Sequence, residues 1–513
     1  MPTPRSRTST ALAVLVALVC AVFGPAVTSA SAAGRPAAET GTVRNPVREH
    51  APDPSLTYHQ GSYYLLSTQG PRITVVRAAS VASLGDAPEK VIWQDSTPSR
   101  CCHMWAPELH RLNGRWYVYY TATTEKWHGP GHRMYVLESA GDDPLGPYQF
   151  KAELATGVRG LAIDGTVLQQ DGGLYLLWSG TAGSALAGQN LYVAPMSNPW
   201  TVSGQRVLVA RPTHPWERRP RPGSPATADI NEAPAVLQRG GRTFVTFSAS
   251  ACESVDYALG MLTLRVGGDP LDPAAWEKTP TPVFTRSDAD RVYGTGHNSF
   301  FTSPDGTEVW MAYHGVSHPR GTPTGACDQS RATRVQKVEF GADGTPRFGL
   351  PAASWQSTRL PAGDPGPRPL AAGRYRVTTE ASGNALGVRG CVHQAGAEVA
   401  VDQYAAADCA SWELAPAPAG GYRLTHTGSG RPLTTADCAA PDGGKAVTGD
   451  TGDQPCQRWL LDPVAEGRYR IANAASGRVL DVAGCSKERG AQAIVWPYWG
   501  PAEGCQVWRL ERS

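Results

Sequence analysis

The sequence is short of charge. Asp, Glu, Lys and Arg make up 18% of its 513 residues, and the formal net charge is +2. Two of those positive charges, Arg5 and Arg7, sit in an N-terminal leader, so the rest of the chain balances at 2 − 2 = 0. A neutral chain lacks the field needed to hold nucleic acid or an acidic membrane surface. Long apolar runs are also scarce. Beyond the leader no stretch reaches the ~20 apolar residues of a spanning helix. The one apolar run, 11–27, follows Arg5 and Arg7 and precedes Ala30-Ser31-Ala32, an A-x-A cleavage pattern. This predicts a signal peptide over 1–32 and a secreted, extracellular protein that leaves the membrane after cleavage.

What is abundant is turn-forming and aromatic: 56 Gly, 43 Pro and 15 Trp. That balance suits a turn-rich, all-β protein better than a helical one, and the length exceeds one ordinary domain. Of eleven cysteines, Cys20 lies in the leader. The other ten are expected to form disulfides in an exported chain. Six fall into three evenly placed pairs, Cys391 and Cys409, Cys438 and Cys456, Cys485 and Cys505. Cys101, Cys102, Cys252 and Cys327 leave three connectivities open.

One sentence of sequence is written five times: a strand start, about seven residues, a Gly turn, then an aromatic strand. The copies are DPSLTYHQG-SYYLLST from Asp53, APELHRLNG-RWYVYYTAT from Ala106, DGTVLQQDG-GLYLLWSGT from Asp164, EAPAVLQRG-GRTFVTFSAS from Glu232 and HNSFFTSPDG-TEVWMAYHG from His297. Each reads as a hairpin. Irregular spacings of 53, 58, 68 and 65 residues suit blades with variable outer loops, and five units predict a five-bladed β-propeller. Counting back eight residues from Gly61, Gly114, Gly172, Gly240 and Gly306 reaches Asp53, Ala106, Asp164, Glu232 and Asn298. Three carboxylates in one register are expected to converge in one axial pit.

After a disordered stub over 33–43, the propeller is expected over 44–360 and a Pro/Gly-rich linker over 361–373. A second repeat fills 374–513: RYRVTTEASGNALGVRGC, YRLTHTGSGRPLTTADC and RYRIANAASGRVLDVAGC, each followed by a Trp-bearing strand. Three units of about 45 residues, each stapled by its own Cys pair, predict a β-trefoil.

With DPS at Asp53, WAPE at Trp105, IDGTV at Ile163, NEAP at Asn231 and GHNSFF at Gly296, the propeller resembles glycoside hydrolase family 43. GHNSFF…DGTE…YHG and SRATRVQKVEF most resemble its α-L-arabinofuranosidase branch. The C-terminal part resembles ricin-B-type β-trefoil carbohydrate-binding domains, with Gln457-x-Trp459 and Gln506-x-Trp508 as Q-x-W signatures and Ala410 replacing the first Gln.

Glycoside hydrolysis needs an acid for the leaving oxygen and a base for water. In an inverting enzyme the two carboxyls stand about 6.5–9.5 Å apart. The resemblance makes Asp53 the general base, Glu232 the general acid and Asp164 the third carboxylate, whose charge raises the pKa of Glu232 and whose hydrogen bond orients it. As turn acids, Asp53-Pro54 and Asp164-Gly165 would instead cap backbone N–H groups. Arg331 matches an arginine that faces the sugar, with Arg334 as a rival. Trp105 is either a wall against the sugar or core packing. Glu108, two positions past the register, is expected to be structural. His297 matches an axial histidine that in some relatives touches a cation. No cofactor and no catalytic metal is implied, while a structural Ca2+ near His297 is allowed.

In the trefoil, a sugar site needs an Asp, a stacking aromatic and an Asn beside the Q-x-W. The third repeat keeps Asp481, Trp496 and Gln506, with Cys505 where the Asn would be; Gly387 and Thr434 replace the Asp elsewhere. The resemblance thus implies a secreted, inverting, exo-acting α-L-arabinofuranosidase, monomeric, acting on plant cell-wall polysaccharide or oligosaccharide. The same fold also accommodates β-xylosidase, arabinoxylan-debranching and endo-arabinanase activity. A non-catalytic carbohydrate-binding protein is the alternative of another class.

Overall fold

The structure is a computed structural model that describes residues 41–126, 131–157, 160–183, 188–224, 226–317, 330–404, 406–501 and 503–513. The leader, including the signal peptide expected over 1–32, lies outside the described residues, as does Cys327.

Five antiparallel sheets follow one another along the chain, and each begins with one of the five repeated hairpins. Their inner strands are Ser55–His59, Cys102–Leu112, Ala162–Gln170, Asn231–Arg239 and Tyr293–Thr302. In four blades the two-residue turn has both residues at positive φ: Gln60-Gly61, Asn113-Gly114, Asp171-Gly172 and Gly240-Gly241. These are type I′ geometries, whose twist matches that of the flanking strands and which select Gly, Asn and Asp.

The second strands explain why the aromatic runs are unbroken. In Arg115–Thr123, Trp116, Val118, Tyr120 and Ala122 pack toward blade one, while Tyr117 and Tyr119 pack toward blade three. Successive side chains leave a strand on opposite faces, and here both faces are covered by a neighbouring sheet. A separate apolar cluster fills each of the five seams, including the one that joins blade five to blade one through Phe301, Trp310, Leu56 and Tyr63. The ring is therefore closed.

Closure also uses the chain's start. Val47 N–H donates to Thr333 O at 2.9 Å, Thr333 N–H to Arg48 O at 2.8 Å and Ala51 N–H to Arg331 O at 3.1 Å. The segment 45–51 thus runs as a strap along the free edge of Ala332–Lys337, the third strand of blade five, and leads directly into Asp53. The stub expected over 33–43 is ordered at its end: Thr42–Val43 is a strand paired with Thr358–Arg359, and Val43 is buried.

The trefoil shows its threefold origin in three tryptophans. Trp412, Trp459 and Trp508 are fully buried, and their indole N–H groups donate to Leu386 O, Leu433 O and Leu480 O at 2.9, 3.0 and 2.9 Å. Its cysteines pair as Cys391–Cys409, Cys438–Cys456 and Cys485–Cys505. Cys101 is bonded to Cys102, and Cys252 is disulfide-bonded. The segment expected as a linker, 361–373, is not free. The Asp364 carboxylate accepts the Val81 N–H at 3.0 Å, and Leu370 N–H donates to the Tyr422 hydroxyl at 2.7 Å. Its prolines and glycines shape a fixed connection because these polar anchors and the buried Leu360 hold both ends.

Candidate active site

Near the start of every inner strand one residue adopts a left-handed conformation: Asp53, Ala106, Asp164, Ala233 and His297, with φ of 55, 43, 56, 52 and 46°. Such a φ is unusual for residues other than glycine, yet it recurs at this equivalent position in every blade. Each of these N–H groups points at the preceding blade. Ala106 donates to Thr68 Oγ1 (2.8 Å), Asp164 to Thr121 Oγ1 (3.4 Å), Ala233 to Asp164 Oδ2 (3.1 Å), His297 to Ser248 Oγ (2.7 Å) and Asp53 to His314 Nδ1 (3.2 Å).

This ring corrects the register expected from sequence. Glu232 is not equivalent to Asp53 and Asp164; Ala233 is, and Glu232 pairs with Ser248 on the residue before the bulge. In blade five the equivalent residue is His297, not Asn298, whose Oδ1 instead accepts from Thr246 Oγ1 at 2.8 Å. The cause is local: the fourth turn comprises Gly240 and Gly241, so the count should start at Gly241, while the fifth blade has a longer loop around Asp305. The three carboxylates nevertheless come together. Asp164 feels the charges of both Glu232 and Asp53, and Glu232 feels that of Asp53.

Asp53 is buried among donors. Arg331 Nη1 lies 2.7 Å from its Oδ1, Thr68 Oγ1 donates to Oδ2 at 2.7 Å, and His297 Nδ1 stands 3.3 Å from Oδ1. Burial pushes this carboxyl up, but Arg331 and then His297 hold it well below the usual range. His314, fully buried beside Arg331, is driven down to about 3 and is therefore neutral, which suits Nδ1 as acceptor for the Asp53 N–H.

Glu232 has the opposite surroundings. Burial, followed by the charges of Asp53 and Glu253, raises it to about 7 against the opposing effects of the Tyr257 hydroxyl and Arg331. That hydroxyl donates to Glu232 Oε1 at 2.8 Å. Asp164 is pushed well above the usual range by burial and then by Glu232 and Asp53. Two neighbouring buried carboxyls cannot both ionise cheaply, so Asp164 and Glu232 titrate as a pair.

Of the remaining predicted residues, Arg331 faces the carboxylates, while Arg334 lies three residues on, points away and donates to Ser317 Oγ at 2.7 Å. Trp105 is partly exposed and stacks on His132 with ring centroids 3.8 Å apart. It therefore has one covered face. Glu108 meets His110 at 2.7 Å. Among the described residues, the grouping with ligand-like spacing is Cys485, Glu503 and Cys505, whose sulfurs are already joined in a disulfide. His297 is paired with Asp53.

Reading only the inner strands missed Thr68, Tyr257 and His314. Thr68 follows the second strand of blade one, Tyr257 immediately precedes the third strand of blade four and His314 lies on the second strand of blade five, and the YHG motif was the available signal for His314. In the trefoil, Asp481 Oδ2 accepts from Gln506 Nε2 at 2.9 Å and is 5% exposed, while Gln506 Oε1 accepts the Trp499 N–H. Gln506 is thus occupied in joining strands, and Trp496, 38% exposed, is the accessible member of the trio.

Comparison with known proteins matches these two halves. The model for glycosyl hydrolases family 43 covers residues 43–346, more than half of the chain. The ricin-type β-trefoil lectin domain-like model matches 353–449, 408–496 and 455–513. An extracellular exo-α-(1→5)-L-arabinofuranosidase of Streptomyces avermitilis is 38% identical over 348 residues, 66% of this chain and 69% of the relative. One from Streptomyces chartreusis is 36% identical over 292 residues, 56% of this chain and 84% of that protein. The crystal structure of an α-L-arabinofuranosidase from Lactobacillus brevis superposes with a TM-score of 0.56 at 33% identity, covering 61% of this chain and 98% of that one. The chain belongs to glycosyl hydrolases family 43 and is a glycosidase, with a carbohydrate substrate and a ricin-type β-trefoil behind its propeller.

Proposed function

We propose that the protein is a secreted, inverting, exo-acting α-L-arabinofuranosidase that trims arabinan or arabinose-bearing hemicellulose. The observation that carries the chemistry is the split in charge state within one pit. Asp53 is held ionised by Arg331, and Glu232 is kept protonated to about neutrality. The choice of arabinose rests on the relatives, two of which are named for exo-α-(1→5)-L-arabinofuranosidase activity. Secretion is supported by the disulfides of the trefoil.

In this reading Glu232 gives its proton to the glycosidic oxygen as the bond to the anomeric carbon breaks. Asp53 takes a proton from the water that attacks the opposite face, so the configuration inverts. Asp164 shares one proton's worth of charge with Glu232 and, by accepting the Ala233 N–H, fixes the backbone on which Glu232 stands. Arg331 serves Asp53 first, and its remaining N–H groups are suited to sugar hydroxyls.

The test is hydrolysis of 4-nitrophenyl α-L-arabinofuranoside and of linear α-1,5-arabinan by wild type and by Glu232→Ala, with the product anomer read by proton NMR. Arabinose alone, released as the inverted anomer by wild type and not from arabinan by the variant, is expected. Cleavage of xylosides but not arabinosides would overturn the substrate assignment. Retained polysaccharide binding with no hydrolysis would overturn the enzymatic one.

A further inference from the structure

The trefoil reaches the active site through the strap. Two trefoil residues that face each other across a hairpin, Asp462 and Arg470, grip its beginning. Asp462 pairs with the buried Arg44, and Arg470 Nε donates to Asp462 at 3.0 Å. Arg470 also donates to Asn45 O at 3.0 Å and to Arg44 O at 3.4 Å. A third trefoil residue, Tyr498, holds the middle of the strap by donating to Glu49 Oε1 at 2.6 Å. The Arg470 guanidinium lies 4.7 Å from the centre of the Tyr498 ring, so the two grips are one assembly.

On its other edge the strap pairs with the strand that Arg331 precedes. The Asn45 side chain imitates a peptide group, donating to Val335 O at 2.9 Å and accepting the Val335 N–H at 2.8 Å. Backbone bonds at Val47, Arg48 and Ala51 continue the ladder to Arg331 O, and two residues later the chain reaches Asp53. The strap therefore sets the separation between Asp53 and Arg331, and the trefoil holds the strap. The domains approach closely elsewhere too: a Cβ on Gly477 would come within 2.4 Å of Trp355 O, and one on Gly85 within 2.1 Å of Pro463 O.

We infer that the β-trefoil is a clamp on strap 44–51 and that Asp462, Arg470 and Tyr498 are positioning residues for Asp53, whether or not the domain also binds sugar. The inference rests on the enzymatic reading above. It separates from a tethering role because a tether affects polymers, whereas a clamp affects any substrate, including one too small to reach the trefoil.

The experiment uses the full-length protein and its Asp462→Asn and Tyr498→Phe variants, with Lys445→Ala on the trefoil surface as control. Asp462→Asn leaves Arg44 and Arg470 facing each other without an anion. Should that variant fail to fold, Tyr498→Phe, which keeps the ring under Arg470, carries the test. On 4-nitrophenyl α-L-arabinofuranoside, kcat is expected to fall at least about tenfold, since a misplacement on the order of 1 Å costs about a hundredfold. The acid limb of the pH profile should rise by about one unit as Asp53 loses contact with Arg331. Partial unfolding alone would lower the amplitude and leave the limb in place. Hydrogen exchange of peptides covering 44–53 should accelerate at least about tenfold relative to Lys445→Ala, as expected when a strand edge opens locally. Unchanged exchange in 44–53, or an unmoved acid limb in an active variant, would overturn the clamp. A wild type that cleaves no glycoside while 44–53 exchange faster in the variants would refute the enzymatic reading and leave the clamp standing.

Discussion

Replacing Arg331 with Gln isolates the contact that keeps the proposed base ionised. The guanidinium lies 2.7 Å from Asp53 Oδ1, and both side chains are buried. An opposite charge at this range lowers a carboxyl pKa by about 1–3 units, equivalent to roughly 1–4 kcal/mol. Burial already pushes Asp53 upward, so removing the cation should let the carboxyl rise by that amount. The acid limb of kcat/KM, which reports loss of the ionised base, should move up by about 1–3 units. Stability must change with the same sign. A carboxyl depressed in the folded state contributes stability above its unfolded value of about 3.9, lost as pH falls through the folded value. The variant should therefore melt well below wild type at pH 7, and the gap should shrink in acid. A pH–rate series with an aryl arabinofuranoside and a calorimetric series at the same pH values measure both effects. An acid limb that stays in place while kcat falls would show that Arg331 acts on the sugar alone and would refute the electrostatic argument.

Tyr257→Phe removes a hydroxyl that favours the ionised form of Glu232. Because the proposed acid acts in its protonated form, lost as pH rises through about 7, the alkaline limb should shift upward in this variant, as a pH–rate profile would show. Thr68→Val deletes one oxygen that both donates to Asp53 and accepts the Ala106 N–H. Chemical denaturation should show a loss of about 1–3 kcal/mol for the buried groups left unpaired, and the acid limb should rise modestly. Cys485→Ser with Cys505→Ser opens a link spanning 20 residues and should cost about 2–4 kcal/mol of trefoil stability in urea, without changing the pH profile on small substrates.

The hairpins were legible because their turns demand residues that tolerate positive φ. The aromatic strands were legible because both faces are buried, so apolar residues run on without the alternation of a half-exposed strand. Convergence of Asp53, Asp164 and Glu232 was anticipated for a reason that was partly wrong. A one-residue change in strand register exchanges faces, so Glu232, one step before the bulge, does not inherit its position from the repeat. It enters the pit from its own position, and Tyr257, just before a strand carrying no repeat signal, holds it there. Asp364 fixing the supposed linker, and Arg44 reaching Asp462 across 418 positions of sequence, were invisible because such partners are set by tertiary packing.

The ring of left-handed residues supplies the deeper reason for the pit's location. At each of these residues the N–H leaves its own sheet and binds the preceding blade, with hydroxyls as acceptors at Thr68, Thr121 and Ser248. In the fourth blade the acceptor is instead the Asp164 carboxylate, and in the first it is a neutral histidine. A buried carboxyl that also accepts a backbone N–H is partly favoured in its ionised form, and Glu232 and Asp53 oppose that ionisation. The substitution of a carboxylate for a hydroxyl at one place in a structural ring therefore does two things. It keeps the ring closed, and it sets beside Glu232 a second buried carboxyl, so that one of the pair holds its proton. The seam between blades three and four is where the fold's own hydrogen-bonding pattern supplies the carboxyl pair proposed to carry the acid chemistry.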